Sequence, residues 1–578
     1  MSDPALAVEV RAPSALGLGI AEALQRAARA RVAERLRGGD ATLWGPPGAP
    51  EIADRLGWLS VAERMLERVD ELSEFADEVT DAGFTDAVVL GMGGSSLAPE
   101  VLRRCFRAQS RRPRLHVLDS TDAAAIRQLQ ESVELQRTLF VLSSKSGSTI
   151  EPTSLFAHFF SLIGEGQSFI AITDPGTALE GLARERGFRR TFAGEPAIGG
   201  RYSALSNFGL VPAALMGLDL RALLNGAAAA WQTEIGALWS SSSGGGAQAP
   251  EQFRSELPAC VQLGAAIGAM ARAGRDKLTF VISSSLPGLG LWLEQLVAES
   301  TGKRGTGILP VAEEPLVDPE AYGEDRVFVH IRDRERPEPA LDQTLEGLVR
   351  SGHPLITVPT GGPLDLGRLF MLWELTVAVA GWALSINPFD QPNVQQAKDA
   401  TKAVLSGYAG SHELEEPAEA SEAQLQALLA GGSPPQYVAI MGFVAPSLQF
   451  DRAAAELRTA IRRACRAAAR GAPATTFGYG PRFLHSTGQF HKGGPRTGRF
   501  LQLLHDGSDE IEIPGAGYTF TTLKNAQAIG DLSTLRELGL PAERVRLHGD
   551  DPAAALRALT AALGPAVVST AAREGGIR

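Results

Sequence analysis

Short apolar runs, each followed by a glycine- or serine-rich turn, recur along the first half of the chain. Ala87–Leu90 leads into GMGGSS, Leu115–Leu118 into DSTD, Leu139–Leu142 into SSKSGST, and Phe169–Ile172 into TDPG. A stretch with helical spacing of apolar positions follows each turn. Strands that alternate with helices in this way predict a doubly wound parallel sheet.

The alternation restarts after a low-complexity stretch, Ser240–Gly246, and predicts a second unit of the same kind. Leu278–Ile282 leads into SSSLPGLG, and two more strands are predicted at Arg326–His330 and Leu355–Val358. Before the first strand, the chain is rich in Ala, Leu, Glu and Arg and predicts helices. The pattern therefore indicates a helical N-terminal cap at 1–80, a first α/β domain at 81–240 and a second at 250–430.

The last part of the chain, after the turn sequence GGSPP at 431–435, has a third pattern of the α/β type. A basic amphipathic helix is predicted near 451–470, and its charges are interpreted as a solvated face rather than a nucleic-acid patch. Strands are predicted at Val438–Phe443, Phe500–Leu504 and Glu510–Ile513. These elements define a C-terminal α/β extension at 436–578.

Composition and charge argue against several classes of function for this protein. The 578 residues are 44% apolar and 21% charged, as in a globular protein of several domains. The net charge of −11 argues against a nucleic-acid binder, although a local cluster of Lys and Arg could hold an anionic substrate. The three cysteines fit no metal spacing. No signal peptide is visible, and the most apolar segment, Leu375–Ile386, is too short for a bilayer span, so we expect a cytoplasmic protein without membrane partners.

One loop has the composition of a phosphate site. In LFVLSSKSGSTIE, Leu139–Glu151, a buried strand leads to a lysine set among five hydroxyl residues, and a helix follows. Hydroxyls, amides and an ammonium at the positive end of a helix suit a phosphate, although serine clusters also serve as simple helix caps. The candidate phosphate ligands are Ser144, Lys145, Ser146 and Thr149.

Two glycine-containing turns add candidates on the same sheet. GMGGSSLAPE, Gly91–Glu100, lacks the full spacing of a dinucleotide fingerprint, which argues against a nicotinamide-dependent dehydrogenase. Because ligands gather at the carboxyl ends of parallel strands, we expect Ser95 and the serine-rich loop to face one pocket. In GGRYSALS, the glycines before Arg201 would let the backbone approach a ligand whose oxyanion the guanidinium holds.

The second unit contributes a carboxylate and a pair of polar side chains. WLEQLVAESTGK places Glu299 near the end of a helix, where the local pattern alone predicts exposure to solvent. NPFDQPNVQQAK predicts a turn and then a helix, on which Gln391 and Lys398 share a face because they are seven residues apart.

Taken in order, GMGGSS, SSKSGSTIE, GGRYS, WLEQLVAESTGK and FDQPNVQQAK resemble the phosphoglucose isomerase family, which has two sugar-isomerase (SIS) domains. The resemblance implies two doubly wound SIS-type α/β domains and interconversion of glucose 6-phosphate and fructose 6-phosphate through a cis-enediol. It implies a sugar phosphate as the partner, no cofactor and no metal, and it allows a homodimer. A dual phosphoglucose/phosphomannose isomerase and a non-catalytic SIS-domain sensor are the alternatives.

The resemblance also assigns roles to residues of this chain. Glu299 matches the general base and Arg201 the residue that stabilises the enediolate. The four residues of the serine-rich loop match the phosphate-binding loop, and Ser95 matches the serine of the glycine-rich turn, a substrate- or phosphate-binding position. Further substrate-contacting positions are matched by Glu151, Gln391 and Lys398.

The family's ring-opening histidine is displaced in this chain. Its motif is absent from the 20 to 40 residues after Glu299, where His330 falls in a strand-like run and is interpreted as structural. FLHSTGQFHKGG, Phe483–Gly494, resembles the missing motif and assigns the role to His485. This order resembles the isomerase half of transaldolase–phosphoglucose isomerase fusions, and the alternative is that the extension is an appended partner module. Two further departures are Asn393 for a usual glycine and Gln395 for a usual glutamate.

Overall fold

Three β-sheets of mainly parallel strands, each covered by helices, form the framework of the part of the protein that the structure describes. The structure is a computed structural model, which describes residues 8–231, 257–430, 434–467 and 471–574. The predicted linker at Ser240–Gly246 lies outside the described residues. The N-terminal elements are β1 (Glu9–Arg11), α1 (Ser14–Arg29), α2 (Val32–Arg37), α3 (Val61–Leu66) and α4 (Val69–Asp81).

The first sheet contains five parallel strands in the order β3-β2-β4-β5-β6. Its strands are β2 (Asp86–Leu90), β3 (Arg114–Leu118), β4 (Thr138–Ser143), β5 (Phe169–Thr173) and β6 (Arg190–Ala193). Its helices are α5 (Leu97–Cys105), α6 (Ala123–Ser132), α7 (Ile150–Ile163), α8 (Ala178–Glu185), α9 (Asn207–Leu215) and α10 (Leu220–Ala229). Each of the four apolar runs of the sequence forms one of these strands, so the predicted doubly wound α/β fold is confirmed.

The second sheet has the order β1-β10-β9-β7-β8, in which only β1 is antiparallel to its neighbour. The strands are β7 (Lys277–Ile282), β8 (Leu309–Val311), β9 (Arg326–Asp333) and β10 (Leu355–Thr360). The helices are α11 (Ala259–Arg272), α12 (Leu289–Thr301), α13 (Pro339–Arg350), α14 (Leu366–Leu384), α15 (Val394–Ser411) and α16 (Glu422–Ala430). The N-terminal segment, predicted to be helical, thus also contributes one strand, in which the buried Val10 pairs with Ile356 of β10.

Helix α14 lies at the centre of the largest apolar core. The stretch Gly362–Leu384 is long and apolar enough to cross a bilayer, but 94% of an 18-residue segment of it is buried inside the protein. Helices α10, α11 and α12 pack against α14 and cover its apolar surface.

The third sheet has four parallel strands in the order β12-β11-β13-β14. The strands are β11 (Tyr437–Phe443), β12 (Ala474–Tyr479), β13 (Gly498–Leu504) and β14 (Ala542–Arg546). The helices are α17 (Leu448–Ala467), α18 (Gly488–Gly493), α19 (Phe520–Glu537) and α20 (Pro552–Glu574). The strand predicted at Glu510–Ile513 is wrong: this segment makes one isolated bridge, and Ile511 and Ile513 pack beside Phe520 in a core shared with the first sheet.

A buried cluster of charges joins the second and third sheets. Arg326 donates to Glu314 Oε2 at 2.9 Å, and Glu314 Oε1 accepts from the Thr475 hydroxyl at 2.8 Å. Burial opposes ionisation of Glu314, but Arg326, Arg462 and Arg458 lower its pKa to about 2. The C-terminal extension is therefore fastened to the second sheet by ionised groups that no longer face water.

Candidate active site

The serine-rich loop and the glycine-rich turn lie side by side, because β2 and β4 are neighbouring parallel strands. Ser143, the last residue of β4, donates its hydroxyl to the carbonyl of Ser95 at 3.1 Å. Within the loop, the Ser144 hydroxyl donates to Thr149 Oγ1 at 3.1 Å, and the Ser146 hydroxyl lies 3.5 Å from the same atom. Three hydroxyls are thus gathered at the first turn of α7, where the backbone amides favour an anion.

Lys145 points to the side of this loop. Its ammonium forms an ion pair with Asp174 and donates to the carbonyl of Glu195 at 2.9 Å. Burial lowers the pKa of Lys145, and the Asp174 carboxylate partly offsets that shift. The charge that the sequence places among the hydroxyls is therefore shared with a carboxylate from the turn after β5.

Arg201 and Glu299 meet in the interior between the first two sheets. One guanidinium nitrogen of Arg201 lies 3.3 Å from Glu299 Oε2 and also donates to Gln391 Oε1 at 2.8 Å. The other terminal nitrogen donates to the carbonyls of Pro388 and Asp390 at 2.7 and 2.9 Å. Arg201 is 2% exposed, so it is held from several directions with little freedom to move.

Glu299 is 7% exposed, and the solvent exposure that its local sequence predicts is wrong. Helix α12 is buried on nearly all sides because it lies between α5, α14 and the short helix α18. Burial raises the pKa of Glu299, and Arg201, Gln295 and His485 offset only part of that shift. A carboxylate with a raised pKa is a suitable proton acceptor near neutral pH.

His485 enters the site from the C-terminal extension, within one chain. Its Nε2 lies 2.8 Å from Glu151 Oε1 at the start of α7. Its backbone carbonyl accepts a hydrogen bond from the Gln295 side chain at 2.9 Å. A Cβ atom at Gly93 would lie 2.7 Å from that same carbonyl oxygen, so the glycine-rich turn is needed for this approach.

The environment of Glu151 differs from that of Glu299. Burial opposes its ionisation, but the charge and hydrogen bond of His485, together with the more distant charge of Lys398, lower its pKa. Lys398 is exposed on α15 and faces a cleft of about 140 Å³ beside these groups. The cleft is lined by Ser148, Thr149, Ile150, Glu151, Lys398, Thr401, Lys402, Leu484, His485 and Gln527.

The folded chain adds residues to the site that the sequence motifs did not reveal. Gln295 precedes Glu299 by one helical turn, a spacing that could have revealed it. Lys303, one turn after Glu299, donates to the carbonyl of Asn387 and to Asp390 Oδ1, both at 2.6 Å, and so holds the turn that accepts from Arg201. Burial and Arg201 lower the pKa of Lys303 to about 7.

One departure from the family pattern has a local explanation. Asn393 has a φ of −89°, which needs no glycine. Its side-chain oxygen accepts from Gln489 Nε2 at 2.9 Å, and its backbone N–H donates to Gln489 Oε1 at 3.0 Å. The asparagine thus pairs with a glutamine of the displaced histidine motif. His330 is buried in β9 and its pKa is lowered to about 4 by burial, as expected of a structural residue.

These features define a class of protein: a doubly wound α/β protein with buried carboxylates, an arginine and a histidine near a hydroxyl-rich loop at the start of a helix. Within the described parts of the chain, no cluster of three or more His, Cys, Asp or Glu side chains is placed to hold a metal ion. The model of the phosphoglucose isomerase family matches residues 51–235.

Two curated relatives and two solved structures place the chain more closely. A glucose-6-phosphate isomerase of Rubrobacter xylanophilus is 30% identical over 393 residues, covering 59% of this chain and 87% of the relative. One of Trichormus variabilis is 26% identical over 394 residues, covering 60% and 72%. A hypothetical protein of Thermus thermophilus superposes with a TM-score of 0.56 at 26% identity, over 69% of this chain and 100% of that one. A glucose-6-phosphate isomerase of Chlamydia trachomatis, at 20% identity, shares the fold with a TM-score of 0.50 over 66% and 79%.

This chain belongs to the phosphoglucose isomerase family.

Proposed function

We propose that this protein interconverts glucose 6-phosphate and fructose 6-phosphate through a cis-enediol. The observation that carries the proposal is the buried pair of Glu299 and Arg201, 3.3 Å apart, in a chain of this family. The reaction moves one proton between C2 and C1 of the open-chain sugar and a second one between the oxygens O2 and O1. It needs an ionised base that is shielded from water and has a raised pKa, and a cation beside the oxygen on which negative charge develops.

In the proposed step, Glu299 takes the C2 proton of the aldose and returns it to C1. Because burial raises the pKa of its carboxyl group, the protonated form is accessible during the transfer. Arg201 stabilises the negative charge that develops on the enediol oxygen, and Gln391 is held in contact with it. The two hydrogen bonds from Arg201 to backbone carbonyls keep this charge oriented before the substrate arrives.

Ring opening is assigned to the other half of the site. His485 would donate a proton to the ring oxygen as the ring C–O bond breaks, and would accept the proton that the anomeric hydroxyl loses as its carbon becomes a carbonyl. Glu151 lies 2.8 Å from the imidazole, and Lys398 faces the same cleft, where its charge would stabilise the negative charge that develops on the ring oxygen before the proton is transferred. Histidine suits this transfer because its usual pKa lies near neutrality.

The phosphate is assigned to the loop between β4 and α7. Ser144, Ser146 and Thr149 would donate their hydroxyls, the backbone at the start of α7 would add its positive end, and Ser95 would complete the cradle from the neighbouring turn. Lys145 would supply positive charge from the side, shared with Asp174. A cytoplasmic location and a homodimer remain predictions.

A direct assay tests the proposal. Fructose 6-phosphate is converted and glucose 6-phosphate formation is followed, with mannose 6-phosphate as a second substrate and with Glu299→Gln as the inactive control. We expect fructose 6-phosphate turnover that the variant loses. A parent protein that binds sugar phosphates without turning them over would identify a sensor instead, and equal turnover of mannose 6-phosphate would identify a dual isomerase.

A further inference from the structure

Gln527, on the central helix α19 of the C-terminal extension, connects the first sheet with the histidine site. It is 2% exposed. Its side-chain nitrogen donates to Glu151 Oε1 at 2.7 Å, and its side-chain oxygen accepts from the Thr121 hydroxyl at 2.8 Å. A carboxylate only accepts hydrogen bonds, so the amide nitrogen must face Glu151 and the hydroxyl of Thr121 must donate to the oxygen.

The same carboxylate oxygen therefore carries two hydrogen bonds. Glu151 Oε1 lies 2.8 Å from His485 Nε2 on one side and 2.7 Å from the Gln527 nitrogen on the other. The charged groups that act on Glu151 are His485 and Lys398, and burial opposes its ionisation. In such a dry site each donor to the carboxylate helps to keep it ionised and fixed in orientation.

A second contact makes the position of Gln527 rigid. Lys524, one helical turn earlier on α19, donates to Asp122 Oδ2 at 2.8 Å and is fully buried. Asp122 directly follows Thr121 in the turn after β3. The helix is thus attached twice to one turn of the first sheet, which fixes the direction from which the amide approaches Glu151.

We propose that Gln527 is a positioning residue for ring opening, which holds the Glu151 carboxylate in line as the acceptor for His485. The inference rests on the proposed isomerase function and deepens it. It concerns ring opening alone, since Gln527 reaches Glu151 and not Glu299. Loss of the amide should therefore slow reactions that begin with a closed ring and spare those that begin with an open chain.

The experiment compares two substrates by ¹H NMR in the full chain. One is fructose 6-phosphate, and the other is its analogue without the C5 hydroxyl, which cannot close the furanose ring. We expect Gln527→Leu to lower kcat on fructose 6-phosphate about ten- to hundredfold, the range for a hydrogen bond to a charged group. KM and the rate on the open-chain analogue should stay close to those of the parent. Thr534→Val, which removes a buried hydroxyl that donates to the helix backbone at Gly530, is the matched control and should change neither rate.

A nearly isosteric second variant keeps the test decisive if Gln527→Leu does not fold. In Gln527→Glu the introduced carboxyl group repels Glu151 when it is ionised and donates a hydrogen bond to it when it is neutral. The ratio of the closed-ring rate to the open-chain rate should therefore rise towards the parental ratio as the pH falls. Equal losses on both substrates, or a ratio that does not respond to pH, would reduce Gln527 to a structural residue. A parent that does not turn over fructose 6-phosphate would instead overturn the proposed function itself.

Discussion

Glu151 and Glu299 are both buried carboxylates of one site, and their surroundings shift their pKa values in opposite directions. Glu151 accepts hydrogen bonds from His485 and Gln527, and its pKa is lowered. Glu299 has Arg201 at 3.3 Å as its closest charged partner, and its pKa is raised by burial. Burial alone would raise both, so the short contacts decide the direction.

Under the proposed function, this difference in pKa fits two roles: Glu151 would orient a histidine, and Glu299 would accept a proton. A carboxylate that is kept ionised by two donors can orient a histidine but has little affinity for a proton of its own. A carboxylate with a raised pKa and incomplete compensation accepts a proton readily near neutral pH. The other N–H groups of the guanidinium beside Glu299 donate to Ser300, Gln391 and two backbone carbonyls, so the positive charge is fixed beside the carboxylate.

The largest expected effect comes from removing the base. Glu299→Gln keeps the size of the side chain but cannot take a proton, so kcat should fall about 10²- to 10⁴-fold on closed-ring and open-chain substrates alike. Steady-state kinetics on both substrates checks this. Glu294→Gln is the matched control: burial raises the pKa of Glu294 to about 8, so its carboxyl group is mostly neutral at pH 7 and the amide replaces it closely. Parental kcat in Glu299→Gln would remove Glu299 from the role of base.

Removing His485 should affect ring opening, in which Glu151 takes part, and should spare the proton transfer at Glu299. His485→Ala should slow turnover of fructose 6-phosphate by about 10²-fold, because the proton can no longer be passed to the ring oxygen. The analogue without the C5 hydroxyl should react at close to the parental rate. His330→Ala, at a buried histidine outside the site, should show no preference between the two substrates. A loss in His485→Ala that is equal for both would contradict the assignment.

The pH dependence of activity should follow the protonation of Glu299 and not that of Glu151. As the pH falls, Glu299 is protonated first because its pKa is raised, while Glu151 stays ionised because its pKa is lowered. Activity should therefore decline by about tenfold per pH unit below the pKa of Glu299. Profiles of kcat/KM for the parent and for Glu151→Gln should share this acid limb, although the variant is slower overall. If the acid limb disappeared in Glu151→Gln, Glu151 and not Glu299 would be the base.

The smallest expected effect lies at the phosphate loop. Because the Lys145 ammonium is already paired with Asp174, Lys145→Ala should raise KM for fructose 6-phosphate by about two- to fivefold, less as ionic strength rises. Inhibition by inorganic phosphate at two salt concentrations measures the same effect. Asp174→Asn releases the ammonium and should strengthen phosphate inhibition. Unchanged inhibition in both variants would place the phosphate away from this lysine.

The sheet architecture could be predicted because it depends on patterns within a few residues. Buried parallel strands are apolar at every position, and the run from Leu139 to Leu142 has this pattern in the sequence itself. Glu510–Ile513 has strand-like alternation, but its isoleucines pack into a core beside Phe520, so the same pattern marks a loop. Strand β1 is too short for a clear pattern, and it is ordered by pairing with β10.

The sequence by itself determined the chemistry that is available: the hydroxyl loop, the arginine after two glycines, the carboxylates and the histidine motif. Tertiary structure alone decided how each group behaves. Glu151 and His485 lie 334 positions apart in sequence. Lys145 pairs with Asp174, which lies in the turn after the neighbouring strand β5. Whether a carboxylate is an anchor or a base depends on local dielectric and on donors within about 3 Å, and both are set by elements distant in sequence. Glu299 is an example: its local pattern predicts exposure to solvent, but helices that are distant in sequence pack around α12 and bury it.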